Sequence, residues 1–407
     1  MKCDWKTSTI NDICSLITDG AHNSPRSVAE GMYMASVKDF TEYGLDFSSC
    51  RMISEDDYEK LRLQGCVPEV NDILVGKDGA RFFEDIVIYR QSEKPALLSS
   101  IAILRVDESK AIPEFLYYTF KNPVVQKDVR DNYGSGSAIP RIVLKDFKRM
   151  PVSSPSIDEQ RKLVSILVSL DEKIQNNQRI NENLLQQANA IFKHWFTENP
   201  NLDTMKQVPL ADLCLVITKG TTPTTLGKQF VSEGINFIKA ESILDNHAID
   251  KDKVAFIDSE TNDLLKRSIM NSGDIVFTIA GTLGRFALID DSVLPANTNQ
   301  AVAIIRANQS KVTPEYLYSF FLGNWHNDYY TKRIQQAVQA NLSLGTIRSL
   351  PIPILSDQAM SEYIGIISPI IAMTKANELE ILRLRAIRDT LLPQLMSGKL
   401  DVSSLDL

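Results

Sequence analysis

The sequence predicts an α+β protein built as a pseudo-two-fold internal repeat. Two similar globular blocks of mixed helix and strand are separated and followed by two long helices, which close into an antiparallel coiled coil. Three observations predict this. The chain of 407 residues reads itself twice at an offset near 200. Each copy opens with short β-patterned runs, and each closes in a segment of about 40 residues whose apolar positions alternate by four and three. The echo is residue-specific: Ile10-Asn11-Asp12-Ile13-Cys14 falls on Leu210-Ala211-Asp212-Leu213-Cys214, Ile17-Thr18-Asp19-Gly20 on Ile217-Thr218-Lys219-Gly220, Asp72-Ile73-Leu74 on Asp274-Ile275-Val276, and Pro113-Glu114-Phe115-Leu116-Tyr117 on Pro314-Glu315-Tyr316-Leu317-Tyr318. A period this long marks a duplicated domain, not a solenoid of short units.

The elements follow in order as a block over residues 1–155, a central helix over 156–198, a second block over 199–355, a C-terminal helix over 356–398 and a tail over 399–407. In the first block Asp72 to Val75, Ile86 to Tyr89 and Ile101 to Val106 read as strands; in the second, Ile235 to Lys239, Asp274 to Ile279 and Ala301 to Arg306 do. Pro113-Glu114 and Pro314-Glu315 open a helix in each, because proline in the first turn wastes no amide and an acid there meets the positive end of the helix dipole. Between these elements lie polar loops: 18–25, 134–137, 221–225 and 297–300.

The central helix carries a heptad seam of Leu163, Leu167, Leu170, Ile174, Asn177, Asn181, Leu184, Ala188, Ile191 and Trp195. The C-terminal helix carries Tyr363, Ile367, Ile370, Thr374, Asn377, Ile381, Leu384, Arg388, Leu391 and Leu395 at the same offset of 200. Independent amphipathic helices have no reason to keep register. Each spans roughly 60 Å at the usual rise. Polar seam positions cost stability and fix register and partner choice. Pro369 removes an interior backbone bond, so a kink or a late start is expected there, helped by Gly365. The second block begins directly after the first helix ends, so a short connection makes an antiparallel return the economical topology.

Composition bounds the function. A hydrophobic content of 43% with 23% charged residues is that of an ordinary globular protein. No run approaches the roughly 18 apolar residues of a membrane span, and no secretory leader is apparent, so a cytoplasmic protein without a membrane role is expected. Cys3, Cys14, Cys50, Cys66 and Cys214 are odd in number and never spaced as Cys-x-x-Cys, which indicates reduced, mostly buried thiols instead of disulfides or a zinc site. The net charge of −7 argues against a protein that coats nucleic acid over its whole surface. Between Lys121 and Arg149, however, seven basic residues face three acidic ones. Charge runs of this kind are more often solvated surface than binding sites. Dinucleotide and Walker A glycine loops are absent; Asn199-Pro200-Asn201 lacks the remainder of an amino-methyltransferase motif; and Gly281-Thr282-Leu283-Gly284 has no lysine after it to make a phosphate loop. His22, His194, His247 and His326 lack metal-ligand spacing.

Gly273-Asp274-Ile275, Asn299-Gln300, Asp158-Glu159-Gln160-Arg161, Asp171-Glu172-Lys173-Ile174, the aromatic run 191–196 and the sequence LLPQLMSGKLDV at 391–402 together resemble the specificity subunit of type I restriction-modification systems, the HsdS family. The likeness covers the whole chain. It implies that the blocks are target-recognition domains reading the two halves of a bipartite double-stranded DNA site. The coil would set the gap between half-sites and dock two methyltransferase (M) subunits, and restriction (R) subunits would complete the complex. On this reading the chain is not itself an enzyme, and S-adenosylmethionine (SAM), ATP and Mg belong to partner subunits only. Candidate DNA contacts are His22, Asn23, Arg81, Arg141 and Lys145 in the first block, and Thr222, Thr224, Arg285, Asn299, Gln300 and Asn341 in the second. A loop-stabilising role is as good a reading for any one of them. Ser99-Ser100 stands where the second copy has Asn299-Gln300, and residues 77–81 differ from 279–285, a divergence suited to blocks reading different half-sites. The rival readings are a fused methyltransferase or nuclease whose catalytic part is unrecognised, and a coiled-coil scaffold with no DNA role.

Overall fold

A computed structural model describes residues 5–134, 140–200, 205–334, 341–400 and 402. Cys3, residues 135–137 of one polar loop and most of the 399–407 tail lie outside these. The chain forms two compact units, residues 1–174 with 383–407 and residues 175–382. Each long helix therefore contributes to both.

In the first unit β1 (Lys6–Thr9) pairs with β9 (Pro151–Ser154), tying the ends of the block together. A short helix α1 (Ile10–Ile13) leads into β2 (Cys14–Asp19). With β5 (Ile73–Gly76), β6 (Ile86–Ile88) and β8 (Ile101–Val106), β2 makes an antiparallel sheet in the order β2-β8-β5-β6. A smaller mixed sheet has the order β4-β3-β7, from β3 (Met32–Ala35), β4 (Arg51–Ile53) and β7 (Ala96–Leu97). Helices α2 (Glu55–Leu63), α3 (Pro113–Lys121), α4 (Pro123–Asn132) and α5 (Leu144–Arg149) complete the block, and α6 (Ile157–Phe192) follows.

The second unit repeats this strand for strand. The pair is β10 (Gln207–Pro209) with β18 (Pro351–Pro353), and the larger sheet is β11-β17-β14-β15, from β11 (Cys214–Lys219), β14 (Ile275–Thr278), β15 (Phe286–Leu288) and β17 (Val302–Ala307). The mixed sheet is β13-β12-β16, from β12 (Ile235–Ile238), β13 (Ala255–Ile257) and β16 (Ala296–Thr298). Even the irregularity recurs, with the register shifting between Cys14 and Leu16 and again between Cys214 and Val216. Helices α7 (Ser259–Leu264), α8 (Pro314–Leu322), α9 (Trp325–Ile334) and α10 (Leu344–Arg348) precede α11 (Asp357–Leu395).

Two of the repeated sequence positions prove to be a buried latch. Arg105 grips Asp72 through Nε and Nη2 at 2.8 and 2.9 Å, and Arg306 grips Asp274 at 2.7 and 2.7 Å. Both carboxylates are fully buried, and each also accepts a backbone amide, from Glu69 or from Asn271. A buried carboxylate needs its cation and all its lone pairs met, so these aspartates hold the sheet and are not candidates for chemistry.

The helices end in globular cores. Leu163, Val164 and Leu167 of α6 and Leu392, Leu395 and Met396 at the end of α11 join the first unit's core around Phe115 and Phe147. Ala188, Phe192 and Phe196, with Tyr363, Ile367 and Ile371 of α11, join the second unit's core around Tyr316 and Phe320. Phe192 sits so close to the backbone that a Cβ on Gly323 would lie 2.1 Å from its ring. Of the seam positions, Leu163, Leu167, Ile174, Asn177, Ile367, Ile381 and Leu395 are buried, and Leu170, Leu184, Ile191, Ile370, Asn377, Leu384 and Leu391 are half-buried. The deepest residues beside Ile370 and Leu391 are one position on, Ile371 and Leu392. A straight helix drifts about 20° per heptad from a strict seam, and a globular core accepts a wider stripe than a partner helix does.

Within the second unit α6 and α11 run antiparallel and meet through polar side chains. Asn177 Nδ2 donates to Glu380 at 2.7 Å, Asn377 Nδ2 to Asn181 Oδ1 at 2.8 Å, and Asn181 Nδ2 to the Thr374 carbonyl at 3.3 Å. In the first unit the same two helices meet through charge. Arg388 Nη1 lies 2.9 Å from Asp171 Oδ1, and the other carboxylate oxygen accepts from Tyr118 OH at 2.7 Å. Arg385 reaches Glu42 at 2.5 Å. Burial works against charge on Arg388, but its hydrogen bonds to Asp171 and Asp389 hold it protonated, above its ordinary range.

Of the two alternatives expected at Pro369, a kink or a late start, the late start does not occur, because α11 is helical from Asp357 through Leu395. Proline deprives the helix of one bond and crowds the carbonyl four residues back, which here belongs to Gly365; both residues are exposed, a Cβ on Gly365 would point into open space, and water can satisfy the freed carbonyl. The thiols are less buried than expected: Cys66 is buried, while Cys14, Cys50 and Cys214 are half-buried. Among the described residues no helix is long and apolar enough to cross a membrane.

Candidate nucleic-acid interface

In each larger sheet one end gathers four loops. β2 ends there at Asp19, β5 ends at Gly76, and β8 begins at Ile101. The strand register fixes this, since Asp19 and Val75 both pair with Ala102. The loops after β2 and before β8 cross at van der Waals limits. Gly20 N donates to the Ile101 carbonyl at 3.1 Å, and a Cβ on Gly20 would lie 2.2 Å from the Leu97 oxygen. In the second unit Gly220 N donates to the Asn299 carbonyl at 3.0 Å, and a Cβ would lie 1.7 Å from the Thr298 oxygen. Only glycine fits either crossing. A fourth segment lies across the end of β5, with Ile142 N on the Lys77 carbonyl at 2.9 Å; Leu342 N does the same to Ile279 at 3.0 Å.

These loops hold most of the sequence-predicted residues. His22 and Asn23 are exposed just after β2, Arg81 follows β5, and Arg141 is exposed beside Ile142. Thr222 follows β11, Thr224 is exposed in the turn Pro223–Leu226, Asn299 and Gln300 precede β17, and Asn341 precedes Leu342. Lys145 stands apart on α5, exposed.

Their chemistry differs between the units. In the first, Asp19 is the hub: its carboxylate meets Lys77 Nζ at 3.1 Å and His22 Nε2 at 3.3 Å. Asp19 and Lys77 are buried, while His22 projects with 75% of its side chain exposed. Arg51 braces the loop beyond, donating to Ser24 Oγ at 2.8 Å and to the Pro25 carbonyl at 2.6 Å. Arg81 is exposed and bonded to Asp85 at 2.6 Å, while Arg130 binds Glu84. Among the described residues Arg141 and Lys145 have no ion-pair partner, so their charge is available to an anion.

In the second unit the positions of Asp19, His22 and Lys77 hold Lys219, Thr222 and Ile279, and the buried ion pair is gone. Thr222 Oγ1 donates instead to Gln300 Oε1 at 2.5 Å, and Asn299 Oδ1 accepts the Ala301 amide at 3.0 Å. Arg285 is a strut: Nε and Nη2 grip Asp245 at 2.7 and 2.7 Å, and Nη1 donates to the Ile243 carbonyl at 3.2 Å. The hairpin register aligns Arg285 with Asp85 and not with Arg81, because Ile73 pairs with Ile88 as Ile275 pairs with Leu288.

Sequence reasoning missed Asp19 and Lys77, whose meeting spans two strands, and Arg267, whose Nη2 donates to Thr221 Oγ1 at 3.3 Å across 46 residues of chain. No local pattern signals either. Among the described residues no cluster of His, Cys, Asp and Glu could hold a metal ion. The two most perturbed histidines lie away from the loops: burial pushes His247 and His326 down to about 4, the first stacked on Phe286, the second among Phe277, Phe321 and Tyr330.

Comparison with known proteins agrees with this duplicated plan. The family described as type I restriction modification DNA specificity domain matches twice, over residues 2–186 and 203–383. The chain is 24% identical over 317 residues to the type I restriction enzyme MjaIX specificity subunit of Methanocaldococcus jannaschii, covering 74% of this chain and 72% of that one. It is 23% identical over 380 residues to the HindI specificity subunit of Haemophilus influenzae, covering 73% and 80%. The crystal structure of a type I restriction-modification S subunit from M. genitalium superposes with a TM-score of 0.59 over 96% of each chain at 16% identity, a likeness of fold.

Proposed function

Because the chain belongs to the type I restriction modification DNA specificity family, and is a specificity subunit with two target-recognition domains, we propose that each globular unit reads one half of a bipartite site in double-stranded DNA. The observation that carries this is the pair of sheet ends. The same four loops are held by the same glycine crossings in both units, yet His22 projects from a buried Asp19–Lys77 pair in one, where the other has Thr222 bonded to exposed Gln300, with Lys219 and Ile279 in place of that pair. A duplicated scaffold with divergent rims suits two unlike half-sites. Exposed Arg141 and Lys145 supply phosphate contacts, which position a protein without reading sequence, and the polar loop side chains supply base contacts.

The long helices, on this proposal, set the interval between half-sites and dock two methyltransferase subunits, with restriction subunits completing a cytoplasmic complex. Catalysis, and with it SAM, ATP and Mg, resides on those partners. Methylome sequencing of cells with and without this chain tests the proposal: a bipartite methylated motif should vanish with the chain. An unchanged methylome would leave only a scaffold role. Methylation of DNA by the purified chain alone would make it an enzyme and overturn the proposal.

A further inference from the structure

Two consecutive hydroxyls in the second unit each hold one polar side chain brought from a distant part of the chain. Thr221 Oγ1 accepts from Arg267 Nη2 at 3.3 Å, and Thr222 Oγ1 donates to Gln300 Oε1 at 2.5 Å. Arg267 and Gln300 are both exposed, at a rim whose glycine crossing fixes the backbone. Among the described residues Arg267 has no carboxylate partner. Its fork has five N–H donors, and one is used. The Gln300 amide accepts the Thr222 hydroxyl on its oxygen and keeps its NH2 group for the outward face.

Resting on the reading of the second unit as a half-site reader, we propose that Arg267 and Gln300 are specificity-determining residues, with Thr221 and Thr222 as their positioning residues. Both outward groups are hydrogen-bond donors. They therefore select base edges that offer acceptors in the major groove: guanine O6 and N7 for the Arg267 fork, and a neighbouring N7, O6 or thymine O4 for the Gln300 amide. An edge that presents only a donor, cytosine N4, is rejected at the Gln300 position because two donors meet. The first unit has no such pair, since the strand register sets Ser99 at the place of Gln300, Ala102 pairing with Asp19 as Ala303 pairs with Lys219, and Thr222 is replaced by His22 on the Asp19 hub.

The test uses the full chain expressed with its methyltransferase partner, and reads the methylated motif genome-wide together with competition binding to duplexes varied one base at a time. Gln300→Ala should relax one base position of one half-site, with discrimination there falling roughly 5- to 100-fold. The other half-site should be untouched. Thr222→Val, isosteric without the hydroxyl, should relax the same position, while Thr222→Ser keeps the motif. Arg267→Lys should relax a different position of that half-site. The melting curve of each variant separates lost folding from lost reading, and Thr222→Ser supplies the folded control. A motif unchanged in Gln300→Ala and Arg267→Lys overturns the inference alone. Uniform weakening across all sequences also overturns it, by making both groups phosphate contacts. Absence of any bipartite motif with the unaltered chain defeats the half-site reading itself.

Discussion

Arg388→Ala strips the cation from a carboxylate that has almost no access to water. Asp171 has 8% of its side chain exposed, and Arg388 lies 2.9 Å from it. An effective dielectric near 20 gives roughly 5 to 6 kcal/mol of attraction at that separation. Tyr118 OH at 2.7 Å and Tyr43 OH at 3.4 Å remain to solvate the charge, so the loss should fall at about 3–5 kcal/mol, as for other half-broken buried pairs. The repeat supplies its own compensating variant. The positions equivalent to Asp171 and Arg388 in the second unit are Ile371 and Ala188, both buried, with Ser319 in place of Tyr118. The triple variant Asp171→Ile, Arg388→Ala, Tyr118→Phe should therefore regain at least half of what Arg388→Ala loses, because no buried charge is left unpaired and only the half-buried Tyr43 hydroxyl loses its long contacts. A chain of two units has no single unfolding free energy, so the assay is native-state hydrogen exchange of the α3 and β8 amides. A cost below about 1 kcal/mol for Arg388→Ala, or a triple variant no better than the single one, would refute the reasoning.

Three further outcomes are expected. His247 and His326 have folded pKa values near 4 against about 6.5 unfolded. Stability of the second unit is thus fully present above pH 6.5 and falls as pH drops towards 4, by about 2–3 kcal/mol per histidine. Urea unfolding at pH 7 and pH 5 should show it, and His326→Phe should flatten the slope. Gly20→Ala drives a methyl into the Leu97 carbonyl at 2.2 Å and should cost more than about 2 kcal/mol, seen as lost exchange protection in β2 and β8. Lys145→Ala should weaken DNA binding equally across sequences and reduce the salt slope by about one; a shift in preferred sequence would show that Lys145 reads bases.

Much of the candidate site was legible as loops and little of it as contacts. The polar runs 18–25 and 297–300 stood out because turn residues break the apolar periods around them. Which partners those loops meet was not legible. Arg285 reads as a free cation in sequence, and its neutraliser, Asp245, lies 40 residues away. Arg267 gave no signal at all, standing in an ordinary charged stretch between Leu265 and Ser268.

The sequence by itself determined the duplication, the strand runs, the proline-opened helices and the heptad seams, because each is written in local periodicity or in repetition at one offset, and both survive without knowing any long-range contact. It also carried Gly20, Gly220, Asp72 and Asp274 as repeated positions without saying why they repeat. Only the tertiary structure decided that the glycines permit two loops to cross, and that the aspartates are buried latches for Arg105 and Arg306. It alone decided that one pair of helix segments meets through Asp171 and Arg388 while the equivalent positions of the other, Ile371 and Ala188, are buried in an apolar core. Those facts depend on pairs of residues tens to hundreds of positions apart. Burial sets the free energy of such a pair, and burial is a property of the assembled fold.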